Sequence, residues 1–277
     1  MIEVTDSMRE RFANDGAIKV ERFLSAQELG ECRRCFDFNL ANPGPTALPI
    51  FAGTEHQHYN DLGTAKSQAY YEPMLKGLGF ADFLAELWGS EHVWYFGEEI
   101  FIKAGGKVGR SPWHQDTPYF TAEGSHLANI WISFEALPVR NCLEVVKGSH
   151  NGTKYDGAAY EDPANPTRPL WGDEYYPRLP DIEAERAADP RSWDVLSWEL
   201  ALGDAVILHS GALHGGAPVD EVCSERHTLV LRFFGDEVRY APFPDTKPDY
   251  FMDLRQFDVP GLRPGEAFRC DEFLQLK

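Results

Sequence analysis

Trp113-His114-Gln115-Asp116 is the stretch on which the interpretation of this sequence depends, because it places an imidazole and a carboxylate two residues apart. In an extended strand such residues project to the same face. We therefore expect His114 and Asp116 to converge on one point, as two ligands of a metal ion would. An HxD alone is weak evidence, since a strand can carry one on a solvated face.

A second stretch offers the third ligand. Residues 203–216 read GDAVILHSGALHGG, an apolar run followed by two histidines, His209 and His214. Two histidines and one carboxylate on one face of an ion leave three positions open, which oxygen-activating Fe(II) requires. The residues alone leave both histidines open as the third ligand.

Composition favours one domain over residues 1–277, with an all-β core and helical additions. The chain is 43% hydrophobic and contains 24 Gly and 19 Pro, which fits short strands better than a helical bundle. A net charge of −18 argues against nucleic acid and anionic membranes as partners. Five cysteines and no long apolar span indicate a reduced, cytoplasmic protein, in which Cys32 and Cys35 are packed residues.

Periodicity and turn residues predict the order of the elements. A helix ends at the turn Asn14-Asp15-Gly16, a strand covers residues 17–20, and a helix begins after Ser25, with Glu28 in capping-box position. A loop over residues 42–71, a helix over 73–88 and a lid or insertion over 152–193 are also expected. The expected strands cover residues 93–104, 129–137, 143–147, 205–208 and 226–234.

Several motifs in the same order resemble the phytanoyl-CoA dioxygenase family of Fe(II)/2-oxoglutarate oxygenases. They are NDGAIKVERFLSAQEL, FIKAGGKVGRSPWHQD, IWISFEAL, LEVVKGSH and GDAVILHSGALHGG, followed by the strand that begins at Arg226. The sequence departs from the family at Asn141-Cys142-Leu143 and at Lys147, where a proline is usual. The resemblance implies a mainly β fold, a double-stranded β-helix or jelly roll with N-terminal helices packed on one sheet.

The resemblance also implies the site. Fe(II) is expected on His114, Asp116 and His214, with His209 as the less favoured third ligand. Arg226 is expected to bind the distal carboxylate of 2-oxoglutarate through its planar fork, with Arg232 as the alternative. Lys103 and Trp131 match family positions near the co-substrate. His150 is expected to be a turn residue and His227, on the opposite strand face, a surface residue.

The implied activity is hydroxylation of a C–H bond in a small molecule, with O2 consumed and succinate and CO2 released. Asp116 favours hydroxylation over halogenation, because halogenating relatives carry a small residue there. Arg110, Trp113, Tyr119 and Phe120 are expected to line the pocket, where Arg110 could attract an anionic substrate. Two other interpretations stay open: a cupin-like metal enzyme that does not use 2-oxoglutarate, and a non-catalytic jelly-roll binding protein.

Overall fold

Two antiparallel sheets, with helices against the larger one, make up the molecule. The computed structural model describes residues 2–160, 162–172, 174–250 and 254–277. The helices are α1 (Asp6–Asp15), α2 (Ala26–Ala41), α3 (Ala65–Gly77), α4 (Phe80–Trp88) and α5 (Ile182–Ala188). The strands are β1 (Ala17–Val20), β2 (Leu48–Ile50), β3 (His58–Leu62), β4 (Val93–Ala104), β5 (Ser111–His114), β6 (Ala122–Gly124), β7 (Leu127–Ser133), β8 (Leu143–Val146), β9 (Val195–Ser197), β10 (Ala205–Leu208), β11 (His214–Gly216), β12 (Glu225–Gly235) and β13 (Val238–Tyr240).

The sheet order confirms the predicted jelly roll. The larger sheet runs β1-β10-β7-β12-β4-β3-β2, and the smaller runs β5-β11-β8-β9. Strands β6 and β13 form a separate pair. Neighbours in each sheet are antiparallel and often distant in sequence, as in β10 beside β1, so that segments far apart along the chain meet between the two sheets.

Alternation along β7 shows how one strand serves two layers. Ile130 and Ile132 pack with the helices in the main hydrophobic cluster, whereas Trp131 packs in the cluster shared with the smaller sheet. Successive side chains point to opposite faces of a strand, and both faces of β7 are buried. Each fully buried isoleucine contributes about 1.5–3 kcal/mol of transfer free energy.

The N-terminal helices pack on the larger sheet as predicted. Helix α1 ends at Gly16, whose φ of 80° is in the left-handed region that glycine adopts without strain. The capping box of α2 is present, since the Ser25 amide donates to Glu28 at 2.7 Å and the Glu28 amide donates to Ser25 at 3.3 Å. Cys32 and Cys35 are buried in the helix–sheet core, which confirms the packing interpretation.

Two expectations about the first third of the chain were wrong. Residues 42–71, expected as a loop, contain β2, β3 and the first turns of α3. The helix expected over residues 73–88 is two helices, because the chain turns at Gly79, which has a φ of 72°. Short edge strands such as β2 carry few alternating residues, so their sequence pattern is weak.

The remaining segments surround the sheets. Between residues 152 and 193, the described part contains α5 and an isolated bridge between Ala158 and Pro169. After β13, the described chain is irregular apart from a short 3₁₀ helix over residues 254–257. No helix within the described ranges is long and apolar enough to cross a bilayer.

Asp204 ties β1 to β10 and generates a stability prediction. Its carboxylate accepts the Arg22 amide at 2.8 Å and the Ala201 amide at 3.0 Å, and it pairs with Lys19 at 3.0 Å. Burial alone would raise the pKa of Asp204, but these hydrogen bonds outweigh it and lower the pKa below its usual 3.8. The carboxylate therefore stabilises the fold at neutral pH, and this contribution is lost as the pH falls below about 4.

We expect Asp204→Ala to lower the free energy of unfolding by about 1–3 kcal/mol at pH 7, because it leaves two amides without their acceptor. Urea denaturation of both proteins at pH 7 and pH 3.5 measures this difference, which should shrink at the lower pH. The exposed Glu199 supplies the control, Glu199→Ala, whose effect should stay within about 0.5 kcal/mol. Equal losses in the two variants would contradict the prediction.

Candidate metal centre

Three side chains meet at one end of the space between the sheets. The Nε2 atoms of His114 and His214 lie 3.5 Å and 3.6 Å from Oδ1 of Asp116. The ligand atoms of the three residues all lie within 4.8 Å of one another, and they are the only group of this kind among the described residues. Two atoms bound at right angles to one ion at about 2.1 Å lie about 3 Å apart, so small side-chain movements suffice to bind a metal.

The route by which the ligands converge differs from the expected one. His114 ends β5 and pairs with His214 at the start of β11, which brings the two imidazoles together. Asp116 lies beyond the strand, in an αR conformation that begins a 3₁₀ turn. The expectation that His114 and Asp116 alternate along one strand was therefore wrong; a turn brings the carboxylate back toward the imidazole.

Hydrogen bonds orient both histidines for metal binding. Nδ1 of His114 lies 2.9 Å from the Pro112 carbonyl, and Nδ1 of His214 lies 2.9 Å from the Ala212 carbonyl. A carbonyl only accepts, so each Nδ1 carries the proton and each Nε2 presents its lone pair to the ion. Burial and the neighbouring His214 lower the pKa of His114 to about 3, which keeps this ring neutral.

The Asp116 carboxylate is ionised and fixed by its second oxygen. Oδ2 accepts from Asn129 at 2.7 Å and from Arg232 at 3.3 Å. Burial alone would raise the pKa of Asp116, but Arg232, the two histidines and Asn129 lower it to about 2. Only Oδ1 is left to face the imidazoles, so the donor set of two neutral nitrogens and one anionic oxygen fits Fe(II).

His209 lies away from this cluster. Its Nε2 donates to the Gly124 carbonyl at 3.0 Å, while its Nδ1 accepts the Gly211 amide at 2.9 Å. Its ring packs near Phe12 and His150. Both nitrogens of His209 are thus occupied by backbone groups, whereas Nε2 of His214 faces Asp116.

Two arginines of β12 line the same pocket, as their even spacing predicts. Arg232 pairs with Glu99 and Asp116, and these carboxylates raise its pKa against the effect of burial. Arg226 forms no ion pair with a carboxylate of the described residues; its guanidinium donates to Thr228 and to the carbonyls of Asn141 and Ala217. Burial lowers the pKa of Arg226 to about 10, so it stays charged at neutral pH.

Lys103 and Trp131 lie on either side of Arg226. Trp131 lines the pocket with its ring centre 5.6 Å from the Arg226 guanidinium. Lys103 pairs with Arg226 across β4 and β12, but its Nζ donates to the Gly109 carbonyl at 2.8 Å and it is not among the pocket-lining residues. Burial and the charge of Arg226 lower the pKa of Lys103 far below its usual value.

For the other residues singled out in the sequence, the structure agrees with some of the expected positions and contradicts others. Tyr119 and Phe120 line the pocket, but Arg110 and Trp113 do not. Arg110 instead forms ion pairs with Glu144 and Glu183, which neutralise it. His227 was expected at the surface, yet only 15% of its side chain is exposed, because it pairs with Glu135 at 2.8 Å and packs against Phe36. His150, expected in a turn, bonds to the Ala13 carbonyl.

Three residues of the site were missed at the level of sequence. Asn129 is a polar residue inside the apolar strand LANIWIS, and that break in pattern was a usable signal. Glu99 pairs with Arg232 across the sheet, and Tyr160 reaches the pocket from an irregular segment. Neither Glu99 nor Tyr160 stands out in sequence, because only tertiary packing brings them to the site.

Solved structures with the same fold include several non-haem enzymes. The carbocyclase SnoK from nogalamycin biosynthesis has a TM-score of 0.70 at 16% identity, covering 99% of this chain and 97% of that one. The epimerase SnoN in complex with Fe3+, α-ketoglutarate and nogalamycin RO has a TM-score of 0.65 at 18% identity, with 98% of each chain covered. EvdO2 from Micromonospora carbonacea var. aurantiaca, complexed with 2-oxoglutarate, has a TM-score of 0.56 at 21% identity, covering 89% and 96%.

Sequence comparison identifies the family. No curated protein matches the chain, but the family model described as phytanoyl-CoA dioxygenase (PhyH) matches residues 12–220. The match contains His114, Asp116 and His214 and covers about three quarters of the sequence. The chain therefore belongs to the phytanoyl-CoA dioxygenase family.

Proposed function

We propose that this chain is an Fe(II)- and 2-oxoglutarate-dependent dioxygenase that hydroxylates a C–H bond of a small molecule. The observation that carries the proposal is the cluster of His114, Asp116 and His214 at a pocket that also contains the buried cation Arg226. Family membership and the iron and keto acid found in structures of similar fold support the same assignment. Fe(II), 2-oxoglutarate and O2 together supply the oxidising power for breaking a C–H bond, with succinate and CO2 as co-products.

His114, Asp116 and His214 would hold the iron. Their arrangement occupies one side of the ion and leaves the pocket side open for 2-oxoglutarate and O2. Asn129 and Arg232 hold the second oxygen of Asp116, which favours binding through one oxygen only. Such supporting hydrogen bonds raise metal affinity by fixing ligand orientation.

Arg226 would bind the distal carboxylate of 2-oxoglutarate. Arg226 is 4% exposed and forms no ion pair with a carboxylate in the described parts of the chain. A buried charge without a counter-ion is costly, and a bound dicarboxylate would neutralise it through a two-pronged contact. The aromatic face of Trp131 near Arg226 would confine that carboxylate. Lys103, which pairs with Arg226 across β4 and β12 and lies outside the pocket lining, is proposed to support the position of Arg226.

Other outcomes of the same chemistry are distinguishable by product mass. Structures of similar fold include an epimerase and a carbocyclase, so product analysis must separate these reactions. Hydroxylation adds one oxygen atom, epimerisation leaves the mass unchanged, and ring closure removes two hydrogen atoms. Asp116 occupies the position of a metal ligand, which favours hydroxylation over halide transfer.

Reconstitution under anaerobic conditions tests the proposed function. Addition of Fe(II) and 2-oxoglutarate is expected to produce a visible charge-transfer band. O2 is then added with each member of a panel of small molecules, and 2-oxoglutarate is expected to give succinate and CO2 while the other oxygen atom enters the substrate. Protein without Fe(II) is the control. Absence of both the band and succinate would instead favour a non-catalytic binding protein.

The third ligand is tested by comparing two histidine variants. His214→Ala should lose stoichiometric Fe(II) binding, because one of three ligands is removed. His209→Ala should retain about one iron per chain, since both of its ring nitrogens bond to backbone groups. Metal analysis after anaerobic desalting gives the ratio, and circular dichroism checks folding. The assignment is refuted when His209→Ala loses iron and His214→Ala keeps it.

Substitution of Arg226 tests the co-substrate site. Arg226→Ala should weaken 2-oxoglutarate binding by about 2–5 kcal/mol, as expected when one partner of a buried charge pair is removed. Calorimetric titration of the anaerobic Fe(II) protein measures the affinity, and iron content should be unchanged. Arg226→Lys, which keeps the charge but not the planar fork, should be intermediate. Unchanged affinity in Arg226→Ala would favour a cupin-like enzyme that does not use 2-oxoglutarate.

A further inference from the structure

The charged side chains that line the pocket balance one another. Among the described lining residues these are two carboxylates, Glu99 and Asp116, and two guanidinium groups, Arg226 and Arg232. Three histidines also line the pocket. Burial lowers the pKa of His58 to about 3, so its ring is neutral. His114 and His214 each donate Nδ1–H to a backbone carbonyl, which leaves Nε2 as an uncharged ligand atom. The protein's contribution to the charge of the pocket is therefore zero.

Binding of the proposed iron and 2-oxoglutarate leaves the net charge of the pocket at zero. A divalent iron and the dianion of 2-oxoglutarate also sum to zero, and Arg226 is then paired with the keto acid. Arg232 is already paired with Glu99 and Asp116, and Arg110 with Glu144 and Glu183 outside the pocket. The residues outside the described ranges are Met1, Glu161, Asp173, Phe251, Met252 and Asp253, which include no lysine or arginine. A negatively charged substrate would thus find no free cation here, and burying it unpaired would be costly.

Aromatic rings form the wall of the pocket beside the metal ligands. The ring centre of Tyr160 lies 5.5 Å from that of His114, 6.1 Å from Tyr119 and 6.4 Å from Tyr250. Phe120 completes the group of aromatic lining residues on this side. Such rings bind flat apolar surfaces by edge and offset-stacked contacts.

Tyr160 is held in place by the loop that carries Asp116. The Tyr119 hydroxyl donates to the Ala158 carbonyl at 2.7 Å and accepts the Ala158 amide at 2.7 Å. Tyr160 itself has a φ of 53°, a left-handed conformation that is unfavourable for a residue with a side chain. Backbone strain of this kind persists where the surroundings impose it and is concentrated at functional sites.

We infer that the aromatic wall around Tyr160, beside the metal ligands, binds an uncharged substrate with a flat ring, and that Tyr160 is the residue that positions this ring. The inference rests on the proposed function, because the charge balance includes iron and 2-oxoglutarate. It replaces the expectation of an anionic substrate attracted by Arg110.

Three probes that share one ring system and differ in charge test the inference. They are 2-naphthalenemethanol, 2-naphthoate and 2-naphthylmethylammonium. Each is titrated calorimetrically into the anaerobic protein after saturation with Fe(II) and 2-oxoglutarate. The neutral alcohol should bind at least ~10-fold more tightly than either ion, because an unpaired charge would have to be desolvated.

Variants of Tyr160 separate positioning from folding. Tyr160→Ala should weaken binding of 2-naphthalenemethanol by ~10-fold, through loss of ring contacts, and leave the affinity for 2-oxoglutarate within about 2-fold. Tyr160→Phe, which keeps the ring, should bind the alcohol nearly as well as the original protein. Tyr175, 46% exposed in the same segment, supplies the control Tyr175→Ala, which should change neither affinity.

The outcomes separate this inference from the proposed function. Failure of 2-oxoglutarate to bind in the first titration would count against the proposed function. With 2-oxoglutarate bound, the inference is overturned if an ion binds as tightly as the alcohol or if no naphthalene binds. Unchanged affinity for the alcohol in Tyr160→Ala overturns it as well.

Discussion

The buried carboxylate of Asp116 is the group on which the rest of the site depends. Its Oδ2 is held by Asn129 of β7 and Arg232 of β12, both in the larger sheet, while its Oδ1 faces two imidazoles of the smaller sheet. A buried carboxylate is stable only when it is paired and hydrogen-bonded. The Oδ2 contacts therefore fix Asp116 against the larger sheet, and a metal ion bound by Oδ1 and the two imidazoles would join it to the smaller sheet.

Two arginines of β12, Arg226 and Arg232, line the same pocket but differ in how their charges are paired. Arg232 is neutralised by carboxylates of the protein, so it acts on the geometry of Asp116 rather than on a ligand. Arg226, six residues earlier, is surrounded by neutral acceptors, which leaves its charge available for a dicarboxylate. Which arginine is left available to an anion is thus determined by their neighbours, since both are buried and both line the pocket.

Irregular segments outside the sheets supply the aromatic residues beside the metal ligands. The turn after Asp116 carries Tyr119, whose hydroxyl fixes Ala158 and so the backbone that leads to Tyr160. The metal ligands and the aromatic wall are therefore coupled through one short turn. This coupling gives a physical basis for the proposal that a substrate ring is aligned with respect to the iron, because positioning of reacting groups contributes much of the rate of such reactions.

Resemblance to the phytanoyl-CoA dioxygenase family implied the jelly roll and His214 as the third ligand. The sequence by itself determined a mainly β fold class, strands β1, β4, β7, β8, β10 and β12, the capping box of α2 and the candidate ligands His114 and Asp116, with two histidines open for the third position. These features are local, since they depend on alternation, capping and spacing along the chain. Only the tertiary structure decided that Asp116 returns through a turn, that Arg110 is neutralised outside the pocket, and that Glu99, Asn129 and Tyr160 belong to the site. The physical reason is that charge pairing and ring packing depend on which distant segments become neighbours, and the order of strands in a jelly roll brings together residues that are far apart in sequence.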